Sequence, residues 1–235
     1  SRRLPGKVLK DIAGKPMLAW VIERAGLAER VDQVVLATST NPDDDPVAQF
    51  CEQRNYTCCR GSLDDVLDRL YRAARQYEAD TVVRLTADCP LIDPGLIDET
   101  VAAFMESQVD FAANRLPPPW KRTYPIGLDT EVCSIEALER AWQEADQPYQ
   151  REHVMPYLYE EPGRFTIKVI HHEPDYGRYR WTVDTHEDLD LVRRIFAELP
   201  DHANFSWLDI IALFEAHPEL AEINSHIRHK GHGQK

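Results

Sequence analysis

The strongest constraint on how this chain can fold is a repeated change of period along its first half. Short β-branched and apolar runs end in small polar residues, and each is followed by a segment with helical spacing. "VDQVVLATST" at 31–40 and "DTVVRLTAD" at 80–88 read as strands buried on both faces, because their apolar residues run together instead of alternating. "YTCCR" at 56–60 is a shorter strand between them. Met17, Leu18, Val21, Ile22 and Ala25 share one face of a helix over 17–28, and "NPDDDPVAQFCEQRN" opens on turn residues and continues as a helix. Ser62 is expected to cap a helix over 63–78 with Asp65 as its capping-box partner. Asp93-Pro94 places a cap and a first-turn proline at the next helix. Strand–helix alternation of this kind builds right-handed βαβ units on a parallel sheet, so an α/β fold is expected. Such a series normally opens on a buried strand, which residues 1–16 do not contain. The expectation is that an N-terminal strand and part of its loop belong ahead of Ser1.

The rhythm breaks at "RLPPPWKRTYPIG", a Pro-rich connection leading to "LDTEVCS" and two helices, 134–145 and about 148–160. "RFTIKVIHH" and "RYRWTVD" read as strands, "THEDLDLVRRIFAEL" as a helix capped by Thr185, and a last helix opens at Ser206. No internal repeat or low-complexity segment interrupts this pattern, and "RHKGHGQK" reads as a loose tail.

Composition removes several classes of function. With 43% hydrophobic and 29% charged residues over 235 positions, the chain has enough apolar surface for a core. No apolar run approaches the roughly 18 residues of a membrane span, and the residues from Ser1 onward show no apolar h-region of a secretory signal. Five cysteines, Cys51, Cys58, Cys59, Cys89 and Cys133, are odd in number and contain no CxxC pair, which points to a reducing cytoplasm. A net charge of −13 argues against a nucleic-acid partner, which needs a broad basic face. It leaves room for a small anion held by a local cluster. The first 22 residues supply one: Arg2, Arg3, Lys7, Lys10 and Lys15 stand against Asp11 alone around a Pro5-Gly6 turn.

In open α/β sheets, ligands gather beyond the carboxyl ends of the strands. Asp88 follows "VVRLTA" and Asp184 follows "RWTV", so each is a carboxylate just past an apolar run. Two hard oxygen ligands from separate strands suit Mg²⁺, which takes one or two protein carboxylates and completes its shell with water and phosphate oxygens. Each aspartate could instead merely cap the following helix, but Thr185 and Asp93 already fill those caps. Other candidates carry less. His226, His229 and His232 lie in the tail without acidic partners, His171 and His172 alternate across a strand, and the vicinal Cys58-Cys59 reads as a strand burying one thiol. No GxSxG elbow or GxGxxG fingerprint is present.

Together, "SRRLPGKVLKDIAGKPM", "GSLDDVLDRLYRAA", "VVRLTADCPLIDP", "RTYPIGLDTEV", "REHVMPYLY" and "RWTVDTHEDLDLV" carry a resemblance over nearly the whole chain. The sequence resembles cytidylyltransferases of the spore-coat polysaccharide protein F type, which are related to CMP-sialate and CMP-ketodeoxyoctonate synthetases. The resemblance implies a three-layer, Rossmann-like nucleotidyltransferase fold with a mostly parallel sheet. It implies one domain over 1–235, with an acceptor and dimerisation excursion at about 115–162. It implies a Mg²⁺-dependent enzyme that makes a CMP-sugar from CTP and a small acidic sugar, releasing pyrophosphate, for surface polysaccharide or glycoconjugate synthesis. Ser1, Arg3, Gly6 and Lys7 would hold the triphosphate, Gly61 and Ser62 the pyrimidine, and Asp88 and Asp184 the metal. Lys7, Asp88 and Asp184 would be the catalytic set. Arg122, Arg151, His153 and Arg180 are candidates for the acceptor's carboxylate, with surface ion pairing as the competing reading. Relatives often carry proline where this chain has His186, a first-turn position that admits either residue.

Two other functions fit the same fold. A glycosyltransferase consuming a nucleotide sugar would carry a DxD motif, where Asp88 here is followed by Cys-Pro. A non-catalytic nucleotide-binding module would bind CTP without turnover. A homodimer is also expected, because Met155, Tyr157, Leu158 and Tyr159 offer apolar side chains on more than one helical face.

Overall fold

The computed structural model describes residues 3–199, 201–202 and 204–227. The chain opens with a single 3₁₀ turn at Lys7–Leu9 and a small antiparallel hairpin, β1 (Asp11–Ile12) and β2 (Lys15–Pro16), which leads into α1 (Met17–Ala25). The alternating half follows as β3 (Leu36–Ser39), α2 (Asp45–Arg54), β4 (Cys58–Gly61), α3 (Val66–Gln76), β5 (Thr81–Arg84) and α4 (Pro94–Ser107). The remainder is β6 (Phe111–Ala113), β7 (Glu131–Ser134), α5 (Ile135–Glu144), α6 (Pro148–His153), α7 (Pro156–Tyr159), β8 (Ile167–Val169), α8 (His186–Glu198) and α9 (Trp207–Ala216).

β3 and β4 pair in parallel. A second sheet has the order β5-β7-β6-β8, in which β7 runs antiparallel to both neighbours while β6 and β8 are parallel. β5, β6 and β8 therefore share one direction and β7 alone opposes them. Side-chain alternation gives the sheet two apolar faces. Val82, Phe111, Ala113 and Cys133 pack with α3 and α5 residues such as Leu67, Tyr71 and Leu138. Val83, Ala112 and Val132 pack with Ala25 of α1 and Ile97, Val101 and Phe104 of α4. Helices on both faces make the expected three-layer α/β arrangement.

Several local expectations change. Asp65, not Ser62, caps α3: its carboxylate accepts the Asp68 N–H at 2.8 Å, while Ser62 Oγ accepts the Asp65 N–H at 3.1 Å in the preceding turn. The helix over 148–160 is divided, since Val154 sits at φ 72 and Pro156 starts α7 afresh. "RYRWTVD" is not a strand but an extended segment with one parallel bridge, Ile126 to Arg180. Cys58 and Cys59 are both half-buried, and His171 and His172 lie beyond the end of β8.

Met155, Tyr157, Leu158 and Tyr159 are buried within this one chain, packed beside Phe111 and Cys133. Their apolar character is therefore that of a core, and it carries no argument for a dimer.

Candidate active site

Three separate loops bring their charges to one point. Gly6 at φ 63, a conformation that favours glycine, reverses the backbone so that Lys7 starts the 3₁₀ turn. Asp88 lies four residues past β5, and its carbonyl accepts the Val183 N–H at 2.8 Å, which ties the β5 loop to the segment before α8. Asp184 directly precedes the Thr185 cap. Its N–H donates at 2.9 Å to Asp188, the carboxylate that also completes the capping box.

Lys7 Nζ donates to Asp88 Oδ2 at 2.7 Å and to Asp184 Oδ1 at 2.9 Å. The other oxygen of Asp184 accepts Arg180 at 2.7 Å and lies 3.1 Å from Arg3. Arg180 in turn forks onto Asp188 at 3.0 and 3.1 Å, and Asp188 has no exposed surface. Asn224 donates to the same carboxylate at 2.8 Å. Burial by itself would raise the Asp184 carboxyl, but hydrogen bonds and charge from Lys7 and Arg180 outweigh it and hold the group at about 2. Burial likewise works against the Lys7 ammonium, and the two aspartates overcome it, so its pKa is raised.

This arrangement has a pH signature. Asp184 is depressed on folding, so its contribution is complete above the ordinary carboxyl value of 3.8 and fades as pH falls toward about 2. A shift of this size amounts to about 2 kcal/mol, of which about 1 kcal/mol is gone by pH 3. Urea titrations between pH 5 and pH 3 should show that slope, and Asp184→Asn should flatten it by the same amount. An unchanged slope in the variant would place the acid sensitivity elsewhere.

Beside the two aspartates is a cavity of about 180 Å³ lined in part by Arg84, Arg115, Gly127, Asp129, Glu131 and Thr182. Gly127, at φ 109, brings its loop so close that a Cβ there would stand 2.6 Å from the Thr182 nitrogen. Arg84 and Glu131 face each other across the β5–β7 ladder as an ion pair.

Lys7, Asp88, Asp184, Arg3 and Arg180 are thus brought together, whereas the other three residues of the expected acceptor set are dispersed. Arg122 grips Asp129 with two hydrogen bonds, at 2.6 and 3.0 Å. Arg151 is held by Asp65 and the Trp142 carbonyl, and His153 ends α6. None of Arg122, Arg151, His153 and Arg180 lines the cavity. Gly61 closely approaches Arg69, whose side chain a Cβ would meet at 3.0 Å, and Ser62 forms the turn already described. Ser1, His229 and His232 lie outside the described residues. Sequence reading missed Arg84, Arg115, Asp129, Glu131 and Asp188. Arg84 had a signal, since it interrupts an apolar strand run with a charge.

The site is a paired-carboxylate centre with a phosphate-sized cluster of cations next to a small polar cavity. A family model for cytidylyltransferases matches residues 1–206. The chain belongs to the cytidylyltransferase family. As a member of it, the protein is a nucleotidyltransferase, related at family level to enzymes of CMP-sugar synthesis. The spore coat polysaccharide biosynthesis protein SpsF of Bacillus subtilis is 29% identical over 229 residues, which cover 94% of this chain and 92% of SpsF. The structure of a cytidylyltransferase from Leptospira borgpetersenii serovar Hardjo-bovis matches with a TM-score of 0.89 at 31% identity, covering 97% of this chain and 94% of that one. A CMP:2-keto-3-deoxy-manno-octonic acid synthetase, solved in complex with CTP, matches with a TM-score of 0.65 at 21% identity over 84% of this cytidylyltransferase and 94% of that chain. That last likeness is one of fold. Among the described residues, no helix is long and apolar enough to cross a membrane.

Proposed function

We propose that this cytidylyltransferase transfers the cytidylyl group of CTP to a hydroxyl of a small sugar acid, forming a CMP-sugar for surface polysaccharide or glycoconjugate synthesis. The observation that carries the proposal is the Lys7 ammonium set between Asp88 and Asp184, two carboxylates that line the cavity. The CTP bound in the CMP-synthetase of like fold supports the choice of nucleotide. The acceptor oxygen forms its bond to the α-phosphorus as the bond to the pyrophosphate oxygen breaks, and the hydroxyl proton passes to water. No covalent enzyme intermediate is required, so the protein's part is to position the reactants and balance charge. Lys7 and Arg3 offset charge on the phosphates, and Arg180 keeps Asp184 ionised and oriented.

The donor set fits Mg²⁺. Two carboxylates already hold one cationic group at 2.7 and 2.9 Å. Their hard oxygens match an ion that binds one or two carboxylates and takes its other ligands from water and phosphate. Asp88 and Asp184 would hold it, and when bound it would supply charge neutralisation at the phosphates. A cytoplasmic location is supported by the five cysteines, all free thiols in the structure.

Pyrophosphate release should be followed with CTP, UTP, ATP and GTP against a panel of acidic sugars, with and without Mg²⁺. Turnover that requires CTP and Mg²⁺ is expected. Turnover with a purine triphosphate and none with CTP would sink the assignment.

A further inference from the structure

The carboxylates around the cavity are all committed to cations. Asp88 and Asp184 share Lys7, Asp129 takes both arms of Arg122, and Glu131 is paired with Arg84. Arg84 is committed in return, and burial, which would weaken its hold on the proton, is outweighed by Glu131. Arg115 differs from all of these. It lines the same cavity, half-buried, two residues past the end of β6, and makes no hydrogen bond or ion pair among the described residues. Its charge is felt by the buried phenol of Tyr159, which is itself neutral. A partly desolvated guanidinium without a partner leaves five donors to be satisfied, and their planar fork matches a carboxylate.

We infer that Arg115 binds the carboxylate of the acceptor sugar and thereby makes the enzyme prefer a sugar acid over its neutral counterpart, an inference that rests on the acid-sugar function proposed above. Three features favour the acceptor over the nucleotide as Arg115's ligand. Neither the Lys7 turn nor Gly61 and Ser62 contributes to this cavity. With the four carboxylates already paired, a single carboxylate at Arg115 adds one charge against the one cation of the lining that has no partner among the described residues, whereas a triphosphate would add several. The volume is also suited to one ring, since a cavity of about 150 Å³ accommodates benzene and this one measures about 180 Å³. The committed carboxylates keep lone pairs with which to accept hydrogen bonds from sugar hydroxyls.

The test uses the full chain with saturating CTP and Mg²⁺. The probes are 3-deoxy-manno-octulosonate and a hexuronate, each assayed beside its carboxamide. For whichever acid the unaltered enzyme uses, Arg115→Gln should raise KM by about 10- to 100-fold, the loss of one charged hydrogen-bonded pair. KM for CTP should stay within about twofold, and the preference for acid over carboxamide should disappear. Arg115→Lys, which keeps the charge and loses the fork, should fall between the two. Thermal melts of both variants establish that they fold. An unchanged KM for the acid in Arg115→Gln would overturn the inference and leave the proposed function standing. A rise in KM for CTP instead would move Arg115 to the nucleotide and overturn it as well. If the unaltered enzyme uses neither acid but accepts a carboxamide, the acid-sugar function falls, and the inference falls with it. Failure to use any of the four probes counts in the same way.

Discussion

Asp88→Asn and Asp184→Asn should each lower kcat by about two to four orders of magnitude while the chain remains folded. Asparagine is nearly isosteric and caps a helix about as well as aspartate, so a role confined to local structure would leave activity close to normal. The structure separates these roles, since Thr185 caps α8 and Asp93 caps α4. What the substitutions remove is negative charge at the point where Lys7 meets both side chains. The loss should fall on turnover and on Mg²⁺ dependence together, with circular dichroism unchanged. A folded Asp184→Asn enzyme with an unaltered Mg²⁺ response would take Asp184 out of the centre and leave Asp88 as its sole carboxylate.

Arg180→Leu should be the most destabilising substitution in the site, by about 3–5 kcal/mol, because it strands a buried charge. Asp188 has no exposed surface and loses its forked partner, although Asn224 and the amides of Asp184 and Thr185 still donate to it. Denaturant midpoints measure the effect. Arg180→Lys keeps the charge but not the fork, so it should recover part of the stability while Asp184 loses its fixed orientation. In that variant kcat should fall more than KM for CTP changes. Equal stability of Arg180→Leu and the unaltered protein would show that the buried ion pair is replaceable by apolar packing.

The meeting of Lys7, Asp88 and Asp184 was partly legible in the sequence because each aspartate follows an apolar run and the lysine lies in one basic turn. Asp88 follows β5, and Asp184 follows an extended apolar segment that the Val183 N–H ties to the Asp88 carbonyl. Helix starts at Asp93, Thr185 and Ser206 were legible for a similar reason, since a cap is a local hydrogen bond. What was not legible depends on contacts between distant segments. Nothing local distinguishes Arg115, which has no hydrogen-bond or ion-pair partner among the described residues, from Arg122, which closes on Asp129 seven residues away. Arg151 looked available for a ligand, yet its partner Asp65 lies 86 positions earlier. The apolar residues Met155 to Tyr159 have the same spacing whether they meet a second chain or their own core. "RYRWTVD" has a strand's composition, but its neighbour is the loop around Gly127, with only one bridge between them.

The ammonium between the two aspartates is a counter-ion that cannot diffuse away. A charged group tethered through the chain acts at a local concentration on the order of millimolar or above, so a cation entering from solution competes with one already in residence. Exchange of one cation for another leaves the charge of the pair nearly balanced throughout, and the protein is not left with two bare carboxylates side by side. An anionic group that engaged Lys7 in place of Asp88 and Asp184 would uncover their oxygens in the same movement, so that capture of negative charge and exposure of the carboxylate pair would be two sides of one displacement.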